Sequence, residues 1–588
     1  MNKISRGSFL KQSAKAGALL MLSPSFAMAA PHGTGLDEDL LKRLAEANDR
    51  QVETLLKTDL LRVGFSRKTG SDFSALAAAY SSPASKYHQS EAVVPVLETL
   101  TGLLAESQSE DGTANFGNLE SPPDTAFLLE LLTAGAFILQ KNPSPALRKV
   151  NSAVKIFIVR AGEALTTGGV HTPNHRWVIC SALARINALY PDKKYTNRIE
   201  DWLGEHVFMD GDGNYPERSR NYASVEDNSM ITMGRLLNKP ALLAYARRNL
   251  ETTYYYMDPD GELAVNDSRR QDQYTSKNIV SYYLHYRYMA IRDNSGMFAA
   301  VTRLIEQLKG FEEEVLNRAY FFFLEDPLLQ QALPAPAALP LSYEKLFTHA
   351  HLLRIRRNER TATLFGGADW PIIIASGRSN SPNFFAFRKG EAVLKYLRLS
   401  TSFFSMGYFY SEGLRKEGNR YVLHKKLTAP YYQPLPKTLR KPDGDYKLSP
   451  SIDDRFWNKM DFLHRPVSNV KTLDTTVAFS ETPAGNELVF EVSGSQGVQV
   501  TIELCFKEGG KLSGVSDGGN QNHFLESGTG TYTFGKDAIS FGPGTVKQKT
   551  LTNLEGERYS THFGSLRTEG MHVFLTGVTP FRHVLVFA

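Results

Sequence analysis

The sequence predicts an α+β chain with two unlike domains, a set of stacked helix pairs followed by an antiparallel β-sandwich. Three observations predict it. The first half repeats apolar residues at helical spacing, the second half breaks into short β-branched and aromatic runs between glycines, and a Pro/Ala-rich stretch separates the two. At 588 residues the chain has length for two or more domains. A content of 42% hydrophobic and 22% charged residues is ordinary for a globular protein and supplies large cores.

Residues 1–30 read as a signal peptide. Lys3, Arg6, Lys11 and Lys15 precede or flank a short apolar stretch, Ala16 to Leu22, and the small residues Ala27, Ala29 and Ala30 close it. Cleavage is expected after Ala29 or Ala30, placing the mature chain in the periplasm or outside the cell. "SRGSFLK" resembles a twin-arginine export signal with Gly7 at the second arginine. No cysteine ends the apolar stretch, so no lipid anchor is expected. No later apolar run approaches the ~20 residues that a bilayer requires, so no membrane span is expected.

Residues 31–331 form the helical domain. Helical spacing is clear in "LDEDLLKRLAEANDRQVETLLKT", "VVPVLETLTGLLAES", "DTAFLLELLTAGAFILQK", "ALRKVNSAVKIFIVRAGEALTT", "RWVICSALARINALY" and "TNRIEDWLGEHVF". It continues in "MITMGRLLNKPALLAYARRNLETTYYYM", "IVSYYLHYRYMAIRD" and "MFAAVTRLIEQLKGFEEEVLNRAYFFF". Several runs are apolar on more than one face, so these helices pack against neighbours on both sides. Stacked pairs fit an open solenoid or a closed toroid, and the period does not choose between them.

"ALPAPAALPLS", residues 332–342, is the predicted linker. Residues 343–588 are the predicted sandwich, with strands in "TATLFGG", "PIIIASG", "NFFAFRKG", "NELVFEVSG", "VQVTIELCFKEGG", "TGTYTFGKDAISFGPG", "MHVFLTG" and "HVLVFA". "SFFSMGYFYSEG", with Phe403, Phe404, Tyr408 and Tyr410, reads as a core strand or as a segment reaching over a cleft. Cys180 and Cys505 fall in different domains and are expected as buried free thiols. A net charge of +5 gives no case for a nucleic-acid partner and is compatible with an anionic substrate.

Four polar clusters stand where loops meet helices, the places from which a rigid scaffold presents chemistry. They are "NFGNLESPPDTAF" (Asn115, Asn118, Glu120, Asp124), "HTPNHRW", "DGDGNYPERSRNY" and "DPDGELAVNDSRRQDQY". The second and third supply His171, Asn174, His175, Arg176, Tyr215, Glu217, Arg218, Arg220 and Tyr222. β-Elimination at a uronic acid needs such a set. Its carboxylate must be neutralised by hydrogen-bond donors, a base must take the C5 proton, and an acid must protonate the departing O4. Asn and Arg suit the first task and His the second; Tyr serves as acid, or as base where arginines lower its pKa. Each residue has a structural alternative, with Asn174 as a helix cap, Tyr215 and Tyr222 as core tyrosines, and Arg218 and Arg220 in ion pairs. In the fourth cluster Arg269 and Arg270 line an anionic cleft or lie in solvent.

"DGDGN" has the alternating Asp210, Asp212, Asn214 of a calcium loop. Its twelfth position is Asn221 rather than the bidentate Glu of an EF-hand, which excludes that motif and leaves a calcium site of another kind or a glycine-rich turn.

"PNHRW" is similar to the Asn-His segment of polysaccharide lyases with an α/α-toroid. "DGNYPERSRNY" resembles the segment that carries the catalytic tyrosine in alginate-lyase-like and heparinase II/III-like enzymes, and "DPDGELAVNDSRR" a later turn of the same group. The resemblance implies an (α/α) toroid followed by an antiparallel β-sandwich, acting on an anionic polysaccharide without a required cofactor. It implies Asn174 as carboxylate neutraliser assisted by Arg218 or Arg220, His175 as base and Tyr222 as acid. His171, Arg176, Tyr215, Glu217, Arg269 and Asn118 are expected as substrate contacts, with Tyr215 or His171 as alternatives to His175 and Tyr222 for base and acid. Here Arg218 replaces a small residue and Pro173 stands where no second Asn precedes Asn174. Lyases that release rhamnose from glucuronic acid share this plan and are the specific expectation. The alternatives are a glucuronidase-like hydrolase using two of Glu120, Asp124, Glu217 and Asp267, or a glycan-binding protein without catalysis.

Overall fold

The computed structural model describes residues 35–588 other than 118, 368–380, 405, 451–456, 484, 520–521, 550 and 552–568. The signal peptide, Asn118 and the run "PIIIASG" lie outside the described residues.

Helices run in chain order as α1 (Glu38–Lys57), α2 (Leu60–Val63), α3 (Lys68–Ser81), α4 (Val94–Glu106), α5 (Pro122–Lys141), α6 (Arg148–Thr167) and α7 (Pro173–Leu189). They continue as α8 (Lys193–Gly204), α9 (Arg220–Leu236), α10 (Leu243–Tyr256), α11 (Tyr283–Arg292), α12 (Gly296–Ile305) and α13 (Tyr320–Glu325). The odd members α3, α5, α7, α9 and α11 pack in succession as an inner ring, and α4, α6, α8, α10 and α12 lie outside them. The short α13 returns to α1, α3 and α5, and Arg287 on α11 reaches Asp37 at 3.1 Å, which closes the ring. The closed toroid is thus the arrangement adopted.

The sequence reading missed α3. Nearly every residue of "KTGSDFSALAAAYS" is buried, including Thr69, Asp72 and Ser74, so the helix has no polar face and no stripe to read. Helix α5 corrects another expectation. It is long and apolar enough, at 20 residues, to cross a bilayer, but 67% of its apolar window is buried as an inner member of the ring.

Residues 332–341 run extended along the toroid, held by Ala337 N–H to Gly296 O (2.9 Å) and Tyr254 Oη to Pro340 O (2.8 Å). Strands Ser342–Phe347, Leu352–Arg357, Arg360–Phe365, Phe385–Lys389 and Ala392–Thr401 then form an antiparallel meander. Gln499–Phe506 and Met571–Val578 extend that sheet. A second sheet is built on Arg420–Tyr432, Val467–Thr482, Gly485–Gly494 and Phe581–Phe587, all antiparallel. Leu394, Ile502 and Leu504 of the first sheet share one core with Val477, Phe490 and Leu585 of the second, so the domain is a sandwich. Cys180 and Cys505 are both buried, and neither forms a disulfide among the described residues.

The "SFFSMGYFYSEG" run is neither reading in full. Phe403 and Tyr408 are buried and Phe404 is exposed, in a loop beyond the strand Ala392–Thr401.

Two of the four polar clusters join the domains. In "DGDGN", Asp210 Oδ1 accepts from the N–H groups of Asp212 and Asn214 at 3.0 and 2.9 Å, and Gly213 supplies a φ of +93°. This turn aims Asp212 at the sandwich, where its carboxylate accepts from the backbone N–H of Thr348, His349 and Ala350. A side chain on Gly211 would meet the exposed His349 ring, which would have to turn aside. In "DPDGE", Asp258 pairs with Arg354, while Arg388 meets Asp260 at 2.7 Å and Glu262 at 2.8 Å. Burial alone would raise the Asp258 carboxyl, but Arg354 and Arg388 hold it below its usual range. Phe347 stacks on Tyr256 with centroids 4.6 Å apart and completes this seam.

Candidate active site

Adjacent inner helices present their first turns at one end of the ring. Asp124, His175 and Tyr222 are each the third residue of an inner helix, and Arg67 immediately precedes another. Local sequence explains the starts. Prolines open α5 and α7, where a missing N–H costs nothing. Ser219 caps α9 by accepting from Tyr222 N–H at 3.1 Å, a cap that contributes about 1 kcal/mol. The Asp272 carboxylate adds to it, accepting from Ser219 Oγ (2.9 Å) and Asn221 N–H (3.2 Å) at the positive end of the helix.

A chain of contacts links these first turns. Arg67 pairs with Asp124 and lies over the Phe127 ring at 4.9 Å. Phe127 meets the His175 ring edge-on at 6.3 Å, and His171 meets it from another side at 4.7 Å. The Arg270 guanidinium stacks over Tyr222 at 4.4 Å and pairs with Glu217 at 2.7 Å. Tyr222 Oη accepts from Gln271 Nε2 at 3.0 Å. Burial, then the neighbouring His171, Arg270 and Arg67, hold the His175 imidazole down at about 4. It is therefore neutral at neutral pH, and its Nδ1 is buried without a hydrogen-bond partner.

The structure separates the residues that the sequence grouped. His171 and His175 meet ring to ring, and Tyr222 starts the neighbouring inner helix under the Arg270 guanidinium. Asn174 is fully buried and does not face the cleft; its Nδ2 donates to Glu217 Oε1 at 2.7 Å, and its own N–H donates to the same oxygen at 3.2 Å. Glu217, buried between Asn174 and Arg270, ties α7 to the loop that carries Arg270. Asn174, Glu217 and Arg270 thus form one buried hydrogen-bonded set behind the first turn of α7.

The other candidates point elsewhere. Arg176 pairs with Glu205 at 2.8 Å and stacks on Trp177. Tyr215 is buried with its hydroxyl on Asp227 at 3.0 Å, and burial pushes its phenol well up. Arg218, held at φ +48°, donates to His349 O at 2.6 Å across the seam. Arg220 is buried over the Tyr256 ring at 3.8 Å and pairs with Asp267 at 3.3 Å. Arg269 donates to Pro216 O at 2.8 Å. The partners of Arg218 and Arg220 come from distant segments, which the local sequence does not disclose. The sequence reading also missed Arg67, Phe127 and Gln271. Arg67 leads into α3, the helix that lacks a legible stripe.

The carboxylates weighed for hydrolysis differ in setting. Glu120 is exposed, Asp124 is on Arg67, Glu217 is on Asn174 and Arg270, and Asp267 is buried on Arg220 and Tyr256. The oxygens of the calcium-like turn face protein donors, with Asp212 on the 348–350 backbone and Asn214 Oδ1 on Arg220 at 3.2 Å. Among the described residues, no group of three or more His, Cys, Asp or Glu side chains is placed to hold a metal ion.

Fold and site together define a helical toroid with a β-sandwich and a mouth lined by His, Tyr and Arg. No family model matches the sequence, and no curated protein matches it. Among solved structures the chain is similar in fold to heparinase III, at 12% identity and a TM-score of 0.56 over 99% of this chain and 90% of that one. It is also similar to the Streptomyces coelicolor A3 chondroitin AC lyase, at 13% identity and a TM-score of 0.53, covering 99% and 82%. A Paenibacillus xanthan lyase gives 11% identity and a TM-score of 0.50, and this chain spans 59% of its length. At such identities the likeness is one of fold.

Proposed function

We propose that this protein is an exported polysaccharide lyase that cleaves a glycosidic bond at a uronic acid by β-elimination. The observation that carries the reading is the His175 imidazole, packed against His171 and Phe127 at the start of one inner helix, with the Tyr222 phenol under Arg270 at the start of the next. The names of the three structures compared above support it.

In the proposed reaction Arg67 and Gln271, at the rim, hold the substrate carboxylate and stabilise the charge that builds as C5 loses its proton. His175 accepts that proton on its ring nitrogen. The electron pair left at C5 forms the C4–C5 double bond, the C4–O4 bond breaks, and Tyr222 donates its proton to O4. Arg270 stabilises the resulting phenolate until solvent restores the proton. Glu217 and Asn174 fix Arg270 and the start of α7 from behind. No metal enters this scheme.

The test is ultraviolet absorbance of the conjugated product during incubation with chondroitin, heparan sulfate, alginate and rhamnose-capped glucuronates. A rising signal that both His175→Ala and Tyr222→Phe abolish, with folding intact, is expected. Sugar release without that signal would replace elimination by hydrolysis. Retention of normal rates in both variants would remove these residues from the reaction.

A further inference from the structure

Helix α9 carries an acid that the proposed reaction does not use. Glu226 follows Tyr222 by four residues, so it lies one turn deeper on the same side of the helix. Its carboxyl is fully buried, and neither oxygen has a hydrogen-bond partner among the described residues. The charged groups that act on it are Glu217 of the preceding loop, Asp227 of its own helix and Arg176 of α7. The phenols of Tyr215 and of Tyr282, just before α11, also feel it. Burial, then Glu217 and Asp227, hold the Glu226 carboxyl well above its usual range. Arg176 acts the other way, but its guanidinium is already paired with Glu205.

The neighbouring acids are each met by a donor. Glu217 accepts from Asn174 and Arg270, Asp272 from Ser219 and Asn221, and Asp227 from Tyr215. Glu226 is the exception, and it adjoins a set that lacks a hydrogen. Asn174 turns its amide nitrogen to Glu217, which leaves its Oδ1 buried with no donor among the described residues. An ionised Glu226 would add two more acceptor oxygens and a second negative charge beside Glu217. A buried charge without donors is far more costly than a buried neutral acid. With a proton, the same group brings no charge and becomes a donor.

We infer that Glu226 carries a proton and is a positioning residue, its O–H supplying the hydrogen that the set built on Glu217 lacks. Uncharged, it leaves Glu217 as the carboxylate that holds Arg270, and Arg270 stays over the Tyr222 ring. Without that hydrogen the set loosens, and Arg270 shifts from the phenol it is proposed to stabilise. The catalytic consequence rests on the reaction proposed above; the proton and its hold on Arg270 do not.

The experiment compares two variants of the full chain. Glu226→Gln keeps a donor and no charge, and Glu226→Leu fills the space with no donor. In elimination assays kcat is expected to stay within about twofold of the parent in Glu226→Gln and to fall about tenfold in Glu226→Leu, with KM unchanged in both. Crystal structures are expected to keep Arg270 over Tyr222 in the first variant and to show it displaced in the second. The melting temperature of Glu226→Leu at neutral pH is expected to match or exceed that of the parent, which separates positioning from folding. The proton has its own readout. The unfolded chain releases it in the usual carboxylate range while the folded chain keeps it, so the parent is expected to lose stability relative to Glu226→Gln as pH rises from about 5 to about 8. Equal pH dependence in these two proteins overturns the proton. Equal kcat in the two variants, or Arg270 unmoved in both, overturns the positioning role. A parent without elimination activity would remove the proposed reaction, and the crystal structures and the pH dependence would still decide whether Glu226 holds Arg270.

Discussion

The mouth of the toroid and the seam between the domains are both crowded with charge, yet they are built on opposite principles. At the seam every acid meets a donor. Asp212 holds three backbone N–H groups, Asp258 holds Arg354, and Arg388 is shared by Asp258, Asp260 and Glu262. At the mouth the pairing is incomplete. The Nδ1 of His175 is buried with no partner, and Tyr222 Oη is held from one side by Gln271 and Arg270. Fully paired charges give geometry, and incompletely paired titratable groups leave room for a substrate.

Substitution separates the two most sharply. Tyr222→Phe is expected to lower the elimination rate about 10³-fold with the melting temperature unchanged, read by ultraviolet kinetics and calorimetry. Asp258→Asn is expected to do the reverse. Leaving Arg354 buried without its carboxylate costs about 3 kcal/mol in denaturant unfolding, with little change in rate per folded molecule. If Asp258→Asn abolished turnover in a fully stable protein, the seam would belong to the site.

Glu217→Gln falls between these cases. It weakens the hold on Arg270 without touching substrate, so a loss of about 10²-fold in kcat with KM little changed is expected. A complete loss accompanied by sugar release in the parent protein would favour hydrolysis.

The pH profile sharpens the comparison further. With His175 held at about 4 rather than 6.5, the base is already neutral above pH 4, so the acid limb of kcat/KM is expected near 4. Arg67→Gln removes one of the charges that lower it, and the limb is expected to move up toward 6.5. The same depression makes stability fall as pH drops from 6.5 to 4, because the unfolded chain takes the proton first. An acid limb that stays in place in Arg67→Gln would separate that arginine from the base.

The smallest effect is expected in the sandwich. Burial opposes the charge on His572, but Cys505 and Glu503, the latter at 2.9 Å, bring its imidazole up to about 9. Its contribution is full below 6.5 and is lost as pH rises through 9. Between those values the melting temperature of the parent is expected to decline more steeply than that of His572→Gln.

Much of the fold was legible because amphipathic outer helices and glycine-bounded strands write their period into the sequence. The inner helix α3 was not, since burial on every side removes the period. The helix starts that carry His175 and Tyr222 were legible because "PNHRW" and "SRNY" hold a proline at the first helical position and a serine cap. The roles of Arg218 and Arg220 were not. Two residues apart, both beside Tyr222, they face His349 and Asp267, partners set by the tertiary fold. Asn174 was placed at a helix start, but its direction, inward to Glu217, follows only from a loop that arrives 43 residues later.

The segment from Asp210 to Tyr222 touches both regions, for Asp212 clasps the sandwich and Tyr222 stands in the mouth. Tilting one domain against the other therefore pulls on the tyrosine through a short, turn-locked stretch of backbone. By reciprocity, whatever free energy a ligand at Tyr222 contributes to one seating of the sandwich reappears as a change in that ligand's affinity when the sandwich is reseated.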